Sequence, residues 1–294
     1  MVKKIIKDIP LLYGFIKPIY LYIYRFYKLL KCIFRQVNIS CEGDIIILGT
    51  GPSLKTDINR VLLNKADTPI MVVNSFCLDD SFCSLKPSFY VLADPGYYND
   101  EARGCCEDDR DIFIQTINNV VNWPITIILP VSGNKSFLVK KLRNNKFIDF
   151  IFIESNHCIH PLFVKKFISY NKNISTPIFQ NVLQMCLYYC IYKKYQNIFV
   201  FGADHNWCKD IMVTEDNVVA INENHCYGYE HHKVHPLEKL DGAYWNMGEL
   251  FEAWMNVYKG YYDLYNYANY NCVKIFNESS VSFVDAFPRK SGRF

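Results

Sequence analysis

Six short apolar runs, each cut off by a turn, set the terms for what this chain can fold into. Ile45–Leu48, Pro69–Val73, Phe89–Ala93, Ile125–Leu129, Phe147–Ile153 and Ile198–Phe201 are rich in β-branched and aromatic residues and too short for helices. Strands that are apolar on both faces belong to a sheet covered on both sides, the habit of parallel sheets. Helical periodicity falls between them, over Ser53–Asn64, the Lys-rich 135–146 stretch and Asn181–Lys194. Strand, polar end, helix is the rhythm of an α/β fold, and it predicts a Rossmann-like, mostly parallel sheet with helices on both faces. Ligands of such sheets sit beyond the carboxyl ends of the strands. Here those ends carry Gly49–Ser53, Asn74, Asp94 and Asp204, so four polar ends are expected to line one crevice.

Residues 44–55 give the sharpest local signal. The buried run ends at Gly49-Thr50-Gly51-Pro52-Ser53. Two glycines let a backbone approach a ligand closely, Pro52 suits the first turn of a helix, and Ser53 can donate to an oxygen anion there. Phosphate binding is the natural reading, and an ordinary strand-to-helix turn that needs two glycines is the alternative. The segment is not a Walker A loop, and without a third glycine it does not specify NAD.

Half of the 294 residues are hydrophobic, ample for a core, and no boundary between catalytic domains is visible. The 12 cysteines are scattered, with Cys105-Cys106 and the helical pair Cys186 and Cys190 as the only close sets, so no zinc framework is implied. Without a cleavable signal sequence they read as reduced cytosolic thiols, mostly buried. The charge is uneven. Residues 1–35 hold Lys3, Lys4, Lys7, Lys17, Arg25, Lys28, Lys31 and Arg35 against Asp8 alone, so with a net charge of +3 overall the remainder is slightly acidic. That argues against a nucleic-acid partner. The prefix is also densely aromatic, interrupted at Gly14 and Lys17-Pro18, which excludes a spanning helix and fits an interfacial helix with basic edges. A core or dimer-packing helix pair fits it too, and a homo-oligomer is compatible with that. The expected organisation is a membrane-associating helical segment over 1–36 and an α/β domain over 37–294.

Within that domain residues 207–243 lose periodicity and hold His225, Tyr227, Tyr229, His231, His232 and His235, which reads as a histidine-rich lid. Met247–Asn271 reads as a long aromatic helix, and Val273–Phe276 and Val281–Val284 as short strands before a basic tail.

Four of these segments resemble, in order and spacing, motifs of bacterial lipooligosaccharide sialyltransferases: Gly49 to Lys55, Asn74-Ser75-Phe76, Tyr90 to Pro95, and Tyr195 to Asp204. They are similar also to flagellin-modifying nonulosonate transferases and to MptE-like hydroxymethylpterin diphosphokinase domains. The resemblance covers roughly 44–206 and does not reach the prefix. It implies that Gly49, Thr50, Gly51, Ser53, Asn74 and Asp94 line a CMP site, with the amides of Gln180 and Asn181 standing where the family carries a Thr-Ser-Gly turn. Two departures stand out. Asp94 replaces an asparagine, and a carboxylate beside phosphates repels unless it faces ribose hydroxyls or the cytosine amine. His205-Asn206-Trp207 replaces the tyrosines that hold the leaving phosphate.

Inverting glycosyl transfer needs a base for the acceptor hydroxyl and donors for the departing phosphate. The resemblance implies a lid histidine as base; spacing leaves His225, His231, His232 and His235 open, and His225 ranks first for its neighbouring tyrosines. His205 is expected to donate to the phosphate or to cap its strand end, and Asp204 to order His205 or bind substrate. His231, His232 and His235 could also ligate zinc, but no Cys or carboxylate is fixed nearby and the implied chemistry needs no metal. Arg289 and Lys290 could reach an acidic acceptor or be solvated.

The expected activity is a glycosyltransferase moving a sialic-acid-like nonulosonate from a CMP donor to a surface glycan or lipid-linked acceptor, at the inner face of the cytoplasmic membrane. No cofactor is required. The rivals are an MptE-like diphosphotransferase with ATP and Mg²⁺ held by Asp94 or Asp204, and a non-catalytic nucleotide-binding envelope protein.

Overall fold

The structure is a computed structural model that describes residues 43–99, 107–154, 163–222, 234–239, 242–289 and 291–294. The 1–36 segment, Cys105-Cys106, His225, Tyr227, Tyr229, His231, His232 and Lys290 lie outside the described residues. The chain divides into two compact units, one of residues 40–155 and 177–294, the other contributing residues 163–176 to the described chain. In the latter a helix spans Phe163–Asn171, with the Phe167 and Tyr170 rings in contact at 6.0 Å.

The larger unit is built on a seven-stranded sheet. Its strands are β1 (Asp44–Leu48), β2 (Ile70–Val73), β3 (Phe89–Val91), β4 (Ile125–Pro130), β5 (Ile148–Ile153), β6 (Asn197–Phe201) and β10 (Lys274–Asn277). They lie in the order β10-β6-β1-β2-β3-β4-β5, and every pairing is parallel. The sheet is therefore more uniform than the mostly parallel one expected. The chain walks outward from β1 to β5, then returns to lay β6 on the other side of β1. In open parallel sheets such a reversal is the usual place for ligands to bind.

Helices cover both faces, as the doubly apolar strands require. On one face α1 (Leu54–Asn64), α2 (Phe82–Leu85), α4 (Glu107–Val120) and α5 (Phe137–Leu142) bring Leu54, Val61, Phe82, Phe113, Ile117 and Leu138 onto Ile46, Leu48, Val72, Tyr90, Ile127 and Phe201. The short α3 spans Pro95–Tyr98. Taking the Phe163–Asn171 helix as α6, α7 (Val182–Tyr192) lies against β1, β2 and β3 on the opposite face, and α8 (Met247–Tyr270) packs on α7 and β10. Because α7 is enclosed between sheet and α8, every residue from Leu183 to Ile191 is buried. The helices approach closely at Gly260, where a Cβ would lie 2.4 Å from Gln184 Nε2.

Three expectations need correction. The 207–243 stretch is not a purely irregular lid: Ile211–Val213 (β7), Val219–Ile221 (β8) and His235–Pro236 (β9) form an antiparallel three-stranded sheet. Its first hairpin turns at Glu215-Asp216-Asn217, with Asn217 at φ 59°, a left-handed conformation that asparagine tolerates. Val281–Val284 is not a strand. Its Phe283 N–H donates to Asp204 O at 2.8 Å, and its Val284 O accepts from Asn277 Nδ2 at 3.0 Å, so its polar groups brace the ends of β6 and β10 instead of joining a ladder. Nor are the thiols mostly buried among the described residues: Cys77, Cys186 and Cys190 are, but Cys83, Cys208 and Cys272 are exposed.

Candidate active site

Parallel register puts the strand ends side by side. Leu48 pairs with Val72 and with Phe201, and Val73 with Val91, so Gly49, Asn74, Leu92 and Gly202 leave the sheet at one level. The strand ends read from the sequence thus lie along one edge of the sheet. The residues of this rim differ in how they are used.

At the switch between β1 and β6 the glycine turn folds onto the loop after β6. Gly49 N–H donates to Phe201 O at 2.8 Å and Gly51 N–H to Gly202 O at 3.0 Å. A Cβ on Gly49 would lie 2.5 Å from Gly202 O, and one on Gly51 only 2.2 Å from Asp204 Oδ1. Here the glycines allow two backbones to touch. Asp204 is 3% exposed and takes both groups of Ser53, the backbone N–H at 2.9 Å and the hydroxyl at 2.6 Å. An internal carboxylate thus occupies the amino end of α1. Burial pushes the pKa of Asp204 up, and the two Ser53 bonds oppose that shift. Among the described residues, Thr50 is the turn residue whose N–H and hydroxyl make no internal hydrogen bond.

One strand over, Asn74 begins a 3-10 turn at φ 49°, and the buried Tyr90 hydroxyl holds its carbonyl while accepting from Cys77 N–H at 2.9 Å. Asn74 Oδ1 is buried without a hydrogen-bond partner. An orphaned acceptor of that kind costs on the order of 1–3 kcal/mol, so a donor is wanted there. Beside it, Ser75 Oγ lies 2.7 Å from Tyr97 Oη. Asp94 is exposed and caps α3 by accepting from Gly96 N–H at 2.7 Å.

On the α7 side of the rim stands His205, in the left-handed region at φ 48°. Its carbonyl accepts from Tyr258 Oη at 2.9 Å, its ring stacks on Trp207 at 4.4 Å, and Nε2 bonds to the Tyr261 hydroxyl. Burial pushes its pKa down to about 3, which favours the neutral imidazole. Asn181 caps α7, with Oδ1 accepting from Gln184 N–H at 3.0 Å, while Nδ2 lies 3.1 Å from Tyr261 Oη. Gln180 is exposed, and its backbone N–H donates to Gln184 Oε1 at 2.7 Å. Next to His205 is a cavity of about 550 Å³, lined by His205, Trp207, Trp254, Met255, Tyr258 and Phe283 among others.

Asp204 and Ser53 are brought together, as are His205 and Asn181. Asp204 is bonded to Ser53 and does not order the His205 ring, because the carboxylate turns toward α1 while the imidazole turns toward α8. His235 sits exposed on β9, paired opposite Ile221, and Arg289 donates to Ser279 O. Sequence reading missed Tyr258 and Tyr261. Their i, i+3 spacing in a helix dense with aromatics looks like ordinary core packing, and nothing local marks them as partners of a residue more than fifty positions away. Among the described residues no helix is long and apolar enough to cross a membrane, and no group of three or more His, Cys, Asp or Glu is placed to hold a metal ion.

No protein-family model matches the chain, and no curated protein does. Among solved structures, it is similar to that of the MAf glycosyltransferase from Magnetospirillum magneticum AMB-1, at 13% identity and a TM-score of 0.49. The match covers 86% of this chain and 34% of the other, so the chain spans about a third of that protein's length.

Proposed function

We propose that this protein is a glycosyltransferase that uses a nucleotide-activated sugar, in the first instance a CMP-linked nonulosonate, and transfers it to a surface glycan or lipid-linked acceptor. The observation that carries the reading is the polar rim at the sheet's switch point, with Thr50 unbonded and Asn74 Oδ1 orphaned beside it. A nucleotide supplies what those groups lack: phosphate oxygens for the Thr50 N–H and hydroxyl, and an amine or ribose hydroxyl for Asn74 Oδ1. The motif resemblance over 44–206 names cytidine monophosphate as the first nucleotide to try. Asp94, exposed at the same edge, suits ribose hydroxyls better than phosphate.

In the proposed reaction the acceptor hydroxyl attacks the anomeric carbon, its proton passes to a base, and the bond to the phosphate oxygen breaks as CMP leaves. Thr50 and His205 are the rim's candidates for meeting the charge that develops on that phosphate. The base is sought among His225, His231, His232 and His235. Membrane association through residues 1–36 belongs to the same proposal, since a lipid-linked acceptor is presented at a bilayer surface.

Thermal-shift measurements with CMP, CDP, UDP and ATP, with and without Mg²⁺, test it. Stabilisation by CMP that is independent of metal supports the transferase. A shift seen only with ATP and Mg²⁺ replaces it with the diphosphotransferase, and no shift across the panel removes nucleotide chemistry from the rim.

A further inference from the structure

The hydrogen bonds around His205 decide which of its nitrogens carries the proton. Asn181 is oriented first: as the cap of α7 its Oδ1 accepts from Gln184 N–H at 3.0 Å, which leaves Nδ2 to face the other way. That Nδ2 lies 3.1 Å from Tyr261 Oη, and an amide nitrogen can only donate, so the phenol oxygen accepts. Tyr261 has one proton left to give. Asn181 Oδ1 is 3.3 Å away and already engaged, whereas His205 Nε2 is the shorter contact. Asn181 Nδ2 also reaches Nε2 at 3.4 Å, so both donors that approach the ring meet the same nitrogen. Nε2 is therefore the acceptor and the ring proton sits on Nδ1, which makes no hydrogen bond to any described residue.

We propose that Asn181 and Tyr261 are positioning residues that lock His205 as its Nδ1–H tautomer, turning the imidazole into a fixed, uncharged hydrogen-bond donor for an oxyanion of the bound ligand. The proposal rests on the nucleotide reading above for the identity of that oxyanion, a phosphate oxygen. The ring plane is set independently by stacking on Trp207 at 4.4 Å, and the backbone by Tyr258 Oη on His205 O at 2.9 Å. A residue held at φ 48° by so many contacts marks a conformation the surroundings impose, a pattern common at functional sites.

The titratable groups around the ring agree. Burial raises the pKa of Tyr261 and of Tyr258, so both keep their protons, and it holds His205 down at about 3. Cys208 and Asp285 bear on Tyr258, and Cys186 on Tyr261, all adding to the upward shifts. No described carboxylate bonds to the ring, which would have favoured the imidazolium. A neutral donor suits a leaving phosphate better than a base would, because it stays protonated at Nδ1 throughout the reaction and needs no proton returned.

The test is the imidazole ¹⁵N spectrum of the full chain labelled in histidine, with His205 assigned from a His205→Asn variant. Expected are a pyrrole-like Nδ1 and a pyridine-like Nε2, unchanged from pH 8 to pH 5. An Nε2–H tautomer, or a titration near pH 6.5, overturns the proposal whatever the protein binds.

Asn181→Asp keeps the cap oxygen but replaces the amide donor with a carboxylate that captures the Tyr261 proton. The expected result is a His205 ring that loses its fixed tautomer and titrates at higher pH. Tyr261→Phe is expected to mix the tautomers and weaken CMP binding roughly tenfold, the effect of losing one well-placed hydrogen bond. A merely structural role for Tyr261 would lower stability in that variant and leave both the tautomer and the affinity as they were, which overturns the assignment. Saturating CMP should move the Nδ1–H resonance. CMP binding that stabilises the protein without moving it contradicts the contact while leaving the nucleotide reading intact, and an absence of nucleotide binding removes both.

Discussion

Asp204 and His205 are neighbours in sequence at the end of β6, yet they face regions built on opposite principles. Asp204 turns to the glycine corner, where its oxygens hold Ser53, the glycines carry backbone against backbone, and the 279–284 loop braces the outer side through Ala203 N–H to Ser279 Oγ at 2.9 Å. His205 turns to the aromatic corner, where bonds hold the ring on one edge and leave the other edge unbonded beside a cavity. One corner is closed on itself and the other is held but open. A residue's place on the rim therefore does not decide its role; the fate of its hydrogen-bonding groups does.

If that contrast is right, substitutions in the glycine corner act on folding. Gly51→Ala drives a Cβ into Asp204 and Gly202, and should cost about 3 kcal/mol, measured by denaturant unfolding. A Gly51→Ala protein of unchanged stability would mean that the corner is not packed as described. Asp204→Ala strands the buried Ser53 N–H and hydroxyl and should cost about 2 kcal/mol.

The aromatic corner should answer to pH instead. With the His205 pKa lowered to about 3 in the fold against about 6.5 unfolded, the unfolded chain binds the extra proton first as pH falls. The contribution of His205 is fully present above pH 6.5 and is lost below it, at about 1.4 kcal/mol per pH unit. Asp204, its pKa raised, pulls the other way at more acidic pH, so the comparison to make is wild type against His205→Asn between pH 7 and pH 5. Parallel stability curves for the two would show that the ring is not buried neutral.

The smallest expected effect is the most discriminating. Thr50→Val removes a hydroxyl without an internal partner, so stability should change by less than about 0.5 kcal/mol while CMP affinity falls about fivefold. Ser53→Ala, three residues from Thr50 on α1's cap, should do the reverse.

The strands were legible because burial on both faces writes a continuous apolar run, and Ile45–Leu48 and Ile198–Phe201 come within one residue of β1 and β6. Val281–Val284 misled because its alternation looks like a strand, whereas Ser282 within it donates to Ala203 O just past the end of β6. The β7–β8 hairpin was masked by the surrounding polar residues, although Asp216-Asn217 between two apolar triplets is a turn signal. At the site, Gly49, Gly51 and Ser53 were found for a reason that fits phosphate as well as it fits a carboxylate. The carboxylate that meets Ser53 comes from 151 residues away, and local sequence carries no trace of such a pairing. The Asn181, Tyr261 and His205 relay joins three elements in the same way.

Amide chemical-shift mapping on the ¹⁵N-labelled protein with CMP addresses most directly whether this rim grips a nucleotide. The largest changes should fall on Thr50, Asn74 and His205, with Asn74→Gly, which suits the left-handed backbone there, abolishing the response at its own position and weakening it at the other two. Changes confined to the β7–β9 sheet or to the outer strand β5, or none at all, would contradict it.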